Sequence, residues 1–281
     1  IMNIIKHLFI ILAFVLPTSF LAQNGNKYGA TENEQILCKE ALSVYKSYKK
    51  QKNYTEAYQQ WEKACDVCPE GVQESLYSHG ALFLKNEITL AEKAEDEVRK
   101  DALVDSLLWV YDVRMELFPS TAKRPNNRCG VLGRKASDFY KFNKDSAEVA
   151  FDMFKESIEC LQAQSSASVL SGFYVTSFYS MKAINKLDKE AGSLRKADML
   201  TDYLMLMEFC NIATSVAEEA GDERSLKGYN RAKANIEKTF IAIAQCDDMV
   251  PVLQAGIDAD PENFELKKKV LRNDGFHSLG V

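Results

Sequence analysis

Cys65 and Cys68 have the spacing in this chain that most suggests chemistry. They stand as a C-x-x-C pair inside "QKNYTEAYQQWEKACDVCPEG", residues 51–71. Such a pair exchanges disulfides when a helix begins at its first thiol, because the positive helix end stabilises the thiolate. It also supplies half of a four-thiolate zinc site. Neither use fits the surroundings. The pattern before Cys65 is helical, and Pro69 and Gly71 then stop it, so both thiols fall at a helix C-terminus, where the dipole has the wrong sign. There is no second C-x-x-C, and beyond the first two dozen residues only His79 and His277 add imidazoles. His79 precedes Gly80 on a predicted helix face and reads as a packed or surface histidine. "CGVLGRKAS" lacks the G-x-x-x-x-G-K-[ST] spacing of a phosphate loop and follows no strand. Carboxylate pairs such as Glu218/Glu219 read as solvated surface. The chain is therefore expected to hold no catalytic residue, cofactor or metal, and not to be an enzyme.

The elements that carry these cysteines form a hairpin of two helices. From Cys38 to Lys50 the apolar residues Leu42, Val44, Tyr45 and Tyr48 share one helical face. Asn53 then offers an N-cap, and Glu56 completes a capping box. The second helix puts Tyr54, Ala57, Tyr58, Trp61, Ala64 and Cys65 on or near one stripe. The turn is too short for anything but antiparallel packing. In such a pair the start of the first helix lies beside the end of the second. Cys38 therefore faces Cys68 or Cys65, and the spacing leaves both partners open.

Tyr48, Ala57 nine residues on, Trp61 four further and Pro69 eight beyond resemble the signature of the tetratricopeptide repeat. Ala64 stands in its second small-residue slot and Tyr54 in its turn. Ala41 and Tyr45 depart from it, where the family often has tryptophan and a small residue. The likeness implies an all-α fold, an α-solenoid of antiparallel hairpins. Weaker echoes follow at Gly80, Phe83, Tyr111 and Pro119. Between them "EITLAEKAEDEVRK" reads as a solvated helical extension with Glu95/Arg99 and Asp96/Lys100 as i,i+4 pairs. Later helices are expected over 131–142, from a cap at Asp145, over 169–187 and 194–220, after Gly221-Asp222, and from Asp260-Pro261. The total is about eleven helices with no strand.

More narrowly, "CKEALSVY", "DVCP", "VLGRK" and "CDDMVP" resemble segments of exported tetratricopeptide proteins of Bacteroidota cell envelopes. That resemblance favours Cys68 over Cys65 as the partner of Cys38. It also implies a lost partner for Cys246, since related chains continue into further helices where "RNDGFHSLGV" loses its amphipathic period. Cys160 and Cys210, on helix stripes, are expected to be small buried hydrophobes.

Composition agrees with an ordinary folded chain: 281 residues, 46% hydrophobic, 27% charged and a net charge of −5. The acidic balance gives no footprint for nucleic acid. Lys6 and His7, the apolar run 8–16 and a polar exit through residue 23 read as a secretory signal, too short for a membrane span of roughly 20 residues. The organisation expected is a signal peptide over 1–23, a flexible segment over 24–32, a repeat array over 33–271 with its best repeat at 38–71, and a non-native or truncated tail over 272–281. The mature chain is expected to be exported, periplasmic or extracellular, without a transmembrane anchor. It is expected to bind a protein or peptide on the face of the first helix of each hairpin, through Lys46, Lys49, Lys85, Arg134 and Lys135. A small-molecule ligand is not expected. The alternatives are a carbohydrate-binding envelope protein on the same scaffold, which requires clustered exposed aromatics, and a thiol oxidoreductase through Cys65 and Cys68.

Overall fold

The computed structural model describes residues 27–244 together with Gln254 and Asp258. The expected signal peptide, Cys246, the helix from Asp260 and the tail over 272–281 lie outside the described residues. Nine α-helices and no strand are found among those described: α1 Glu32–Lys50, α2 Tyr54–Val67, α3 Glu74–Lys93, α4 Glu97–Leu117, α5 Asn127–Phe142, α6 Ala147–Leu161, α7 Ala167–Leu187, α8 Lys189–Glu219 and α9 Glu223–Ile241. A single 3₁₀ turn, Gln162–Gln164, links α6 to α7.

Helix starts follow local chemistry. Thr31 and Glu34 form a reciprocal capping box at α1, while Asp96, Asp188 and Asp222 each accept a backbone N–H in the first turn of α4, α8 and α9. The segment read as flexible up to residue 32 is folded from Lys27 onward. Tyr28 packs on the core, and the N–H groups of Ala30 and Thr31 donate to the Glu34 carboxylate at 2.8 and 2.9 Å. Two expected caps differ. Asn53 occupies the N-cap of α2 but its side chain makes no capping bond. At α6 the cap position falls on Ser146, one residue beyond Asp145.

"EITLAEKAEDEVRK" is not one continuous helix. It breaks at Ala94–Asp96, where Glu95 takes φ 55°, and turns α3 back on α4. Arg99 then pairs with the buried Glu87 at 2.8 Å, and Lys100 with Glu97, in place of the expected partners. The extra residues lengthen both arms of this hairpin.

Every substantial contact joins helices one or two apart in chain order: each α-helix packs on the next, α5 on α7, and α7 on α9. Tyr45 meets Phe83 at 6.0 Å and Lys85 meets Asp138 at 3.1 Å, which carries the row of odd-numbered helices from α1 through α3 to α5. Two apolar clusters result, one from Cys38 to Val131 and one from Ala136 to Phe240, adjoining within α5.

Contacts between successive hairpins recur. The Trp61 indole N–H donates to the Leu76 carbonyl at 2.8 Å, and its ring lies against Gly80, where an added Cβ would stand 2.3 Å from Cζ2. Phe154 lies on Gly172 in the same manner, at 2.4 Å. Ala57 and Ala150, both fully buried, sit four residues before these aromatics. Glycine is required at both sites so that an aromatic ring can touch helix backbone.

Disulfides join the start of an odd helix to the end of the even helix after it. Cys38 pairs with Cys68 at a sequence separation of 30, and Cys129 with Cys160 at 31. Cys160 is therefore not a free buried thiol as its helix stripe suggests, because it lies at the level of Cys129 near the end of α6. Cys65 and Cys210 are free. In the hairpin of α3 and α4 a charged cluster occupies the corresponding place. Arg114 donates twice to Glu74, at 2.9 and 3.0 Å, and Arg124 and Asn127 close on the same carboxylate. Burial works against the Glu74 charge, but these donors outweigh it and hold the carboxyl below its usual range.

Candidate functional site

The C-x-x-C pair is divided by the fold. Cys68 is bonded to Cys38, and burial, then the charges of Asp66 and Glu62, push the Cys65 thiol up to about 12. A thiolate nucleophile needs the opposite shift. His79 lies against the rings of Tyr45 and Phe83, at 5.9 and 6.4 Å. Burial, then the charges of Lys49 and Lys46, lower its pKa to about 4, so the ring is neutral near pH 7. Among the described residues no group of three or more His, Cys, Asp or Glu side chains is placed to hold a metal ion.

The signature residues fill space between helices. Ala57, Trp61 and Ala64 are buried, and Tyr48 and Tyr54 pack against the first cluster. Pro69 follows the end of α2, its carbonyl accepting from the Val72 N–H at 2.9 Å. These positions build the scaffold, which leaves recognition to its surface.

The surface expected to meet a partner is the row of odd-numbered helices. Of the five cations expected there, Lys85 and Arg134 line one small hollow of about 200 Å³ together with Ser78 and Arg114. Lys46 donates to Gln73 at 3.1 Å and, with Lys49, lies close enough to disfavour a charge on His79. Lys135 pairs with Asp112 of α4 at 2.6 Å, as Lys85 does with Asp138 at 3.1 Å.

A larger groove of about 670 Å³ runs between α7 and α9, with Tyr140 of α5 at its side. Alanine and glycine open it: Ala167 and Gly172 on α7, Gly228 and Ala232 on α9. Hydroxyls line one wall, with Ser166 and Ser168 3.2 Å apart and Ser171 accepting from the Asn235 amide at 3.4 Å. Arg224 and Arg231 line the other wall, and among the described residues neither is held in an ion pair. The groove can thus offer two guanidinium groups and several hydroxyls to an acceptor-rich segment, Arg224 also feeling the charge of Asp222 at the start of α9.

Sequence reading missed Arg224, Arg231 and Asn235. Their signal is present all the same: with Gly228 they form a polar stripe on α9 at helical spacing, beside the face that carries Ala232, Ile236 and Phe240. The aromatic side chains that remain well exposed, Trp109 and Tyr179, lie on α4 and α7 and do not form a cluster. No described helix is long and apolar enough to cross a membrane. No protein-family model, curated protein or solved structure matches this chain.

Proposed function

We propose that this chain is an exported, non-catalytic α-solenoid of tetratricopeptide-like hairpins that holds an acidic or carboxylate-bearing peptide segment of an envelope protein along its odd-numbered helices. Support for the repeat reading comes from the recurrence of Trp61 on Gly80 as Phe154 on Gly172, and from disulfides spanning nearly equal separations. Contacts confined to near neighbours belong to the same type of architecture. Two disulfide pairs fit an oxidising compartment.

The observation that carries the binding reading is the α7/α9 groove lined by Arg224 and Arg231. A chain of net charge −5 that gathers hydroxyls and arginines in one groove presents a local field opposite to its overall charge, which favours an anionic segment over a basic one. A groove on packed helices is largely preformed, so binding carries little ordering cost on this side.

Affinity capture from envelope extract tests the proposal, with the wild type compared against Arg224→Glu/Arg231→Glu. One dominant protein is expected on the wild type, with affinity for the double variant lower by about tenfold or more and reduced dependence on salt. Recovery of glycan without protein, or equal retention by the double variant, overturns it.

A further inference from the structure

A second concavity lies between even-numbered helices. Residues of α6 and α8 form its walls and Phe173 of α7 part of its floor, enclosing about 540 Å³. Its centre is Arg195. The guanidinium stands 3.5 Å over the Phe151 ring, which itself stacks on Phe173 at 5.0 Å. The Nε of Arg195 is buried without an acceptor, and the side chain makes no ion pair among the described residues. Asp198 and Asp202 follow on the same stripe of α8, at i+3 and i+7, and likewise have no hydrogen-bond partner among the described residues. Lys155 and Glu159 on α6 pair with each other at 4.0 Å and form the opposite rim. Ile158, Met205 and Phe209 complete an apolar floor.

Charge of both signs narrows the occupant. Arg195 and Asp202 are partly buried and Asp198 is exposed. The carboxylates of Asp198, Asp202, Asp152 and Glu148 all act on Arg195 without a direct ion pair to it among the described residues. A lone cation is opposed by Arg195 and Lys155, and a lone anion by Asp198, Asp202 and Glu159. A neutral sugar would satisfy hydrogen bonds but add no charged contact to Arg195 or to Asp198 and Asp202, whose fields already act on one another. It would also lack its usual platform, because Arg195 covers one face of Phe151 and Phe173 stacks on the same ring. A molecule bearing its own carboxylate and ammonium answers both groups at once.

We propose that the cleft between α6 and α8 binds a small zwitterion with an apolar side chain, an amino acid or short peptide. Its carboxylate rests on Arg195, its ammonium on Asp198 and Asp202, and its side chain on Met205 and Phe209. This site is separate from the α7/α9 groove and does not depend on it. Burial, then the charge of Asp198, raises the Asp202 carboxyl to about 6, against the opposing pull of Arg195 and Lys155. Affinity for a free amine therefore strengthens as pH rises through 6 and Asp202 ionises.

Titration calorimetry of the full chain with the dipeptide leucyl-phenylalanine, its N-acetylated form and its C-terminal amide tests the assignment. The free dipeptide is expected to bind, with each blocked form weaker by about tenfold or more. Arg195→Gln should remove discrimination against the amide, and Asp202→Asn discrimination against the acetylated form. Should Arg195→Gln lose native helicity by circular dichroism, Asp202→Asn carries the test alone, since its carboxyl supports no observed hydrogen bond. Equal affinity for the free and blocked dipeptides overturns the proposal. So does the absence of heat with millimolar zwitterion, or binding of a neutral disaccharide in its place.

Discussion

His79 lies against Tyr45 and Phe83 with its Nδ1 buried and no partner for it among the described residues, while Lys46 and Lys49 of α1 stand nearby. An unfolded histidine takes up a proton near pH 6.5, whereas this one resists until about 4. Between those values the unfolded chain binds more protons than the folded one, so stability rises with pH across that window. Acidification from 6.5 towards 4 should lower the urea midpoint of the wild type. His79→Phe, which suits the same aromatic pocket, should remove that part of the decline and leave the carboxylate-driven loss below it. Identical pH profiles for the two proteins would show that His79 is already solvated in the folded state. Cys65 follows the same logic of burial, and here the sequence is a sufficient guide. Its place beside Trp61 and Ala64 at a helix C-terminus predicts an inert thiol, and desolvation raises it to about 12. Local helix polarity and stripe are sequence properties, so questions decided by them are legible in advance.

At the scale of helices, the close approach of hairpins depends on glycine in a few places and not in others. Gly80→Ala puts a methyl group inside the Trp61 ring, and Gly172→Ala one inside the Phe154 ring. The overpacking cost is about 1–3 kcal/mol, against a gain of up to about 1 kcal/mol in helix propensity, so both variants should lose roughly 1–2 kcal/mol. Gly130→Ala on α5 meets nothing within 4 Å and should gain up to about 1 kcal/mol, as read from denaturant midpoints. Opposite signs within one set of Gly→Ala changes separate packing from propensity. The amphipathic period reveals where these helices run, but it hides their breaks where every residue is a helix former. Ala94-Glu95-Asp96 carries neither Gly nor Pro, so the α3/α4 turn leaves no mark beyond the capping aspartate. Cys129 and Cys160 show a different difficulty. The rule that pairs Cys38 with a cysteine near the end of α2 applies equally to them, but the stripe position of Cys160 suggests simple burial and obscures it. The α6/α8 cleft is less legible still. Arg195, Asp198 and Asp202 look like an ordinary solvated face until Phe151 and Phe173 arrive from other helices to bury the guanidinium.

Over the whole molecule, contacts one or two helices long divide the protein into two apolar clusters that share only α5, and each side carries one disulfide. No described contact ties α1 or α2 directly to α8 or α9, so the coupling between the ends passes through the packing of α4, α5 and α6. A repeat array of the kind proposed opens in parts, with stability set by each unit and its nearest interfaces. Phe154→Ala is the informative perturbation, because Phe154 is buried in the second cluster and fills the backbone gap at Gly172. Its loss should cost about 3–5 kcal/mol locally. Hydrogen exchange read by mass spectrometry should then show faster exchange in α6 to α9, while α1 to α3 keep their wild-type protection. A uniform rise across all helices would mean that the described chain unfolds as one cooperative body. In that case recurring contacts such as Trp61 on Gly80 and Phe154 on Gly172 would be details of a single core, and the repeat reading would lose its energetic basis. Exchange confined to the second half would instead mean that the α7/α9 groove can loosen or tighten around a partner without disturbing the α1–α3 end.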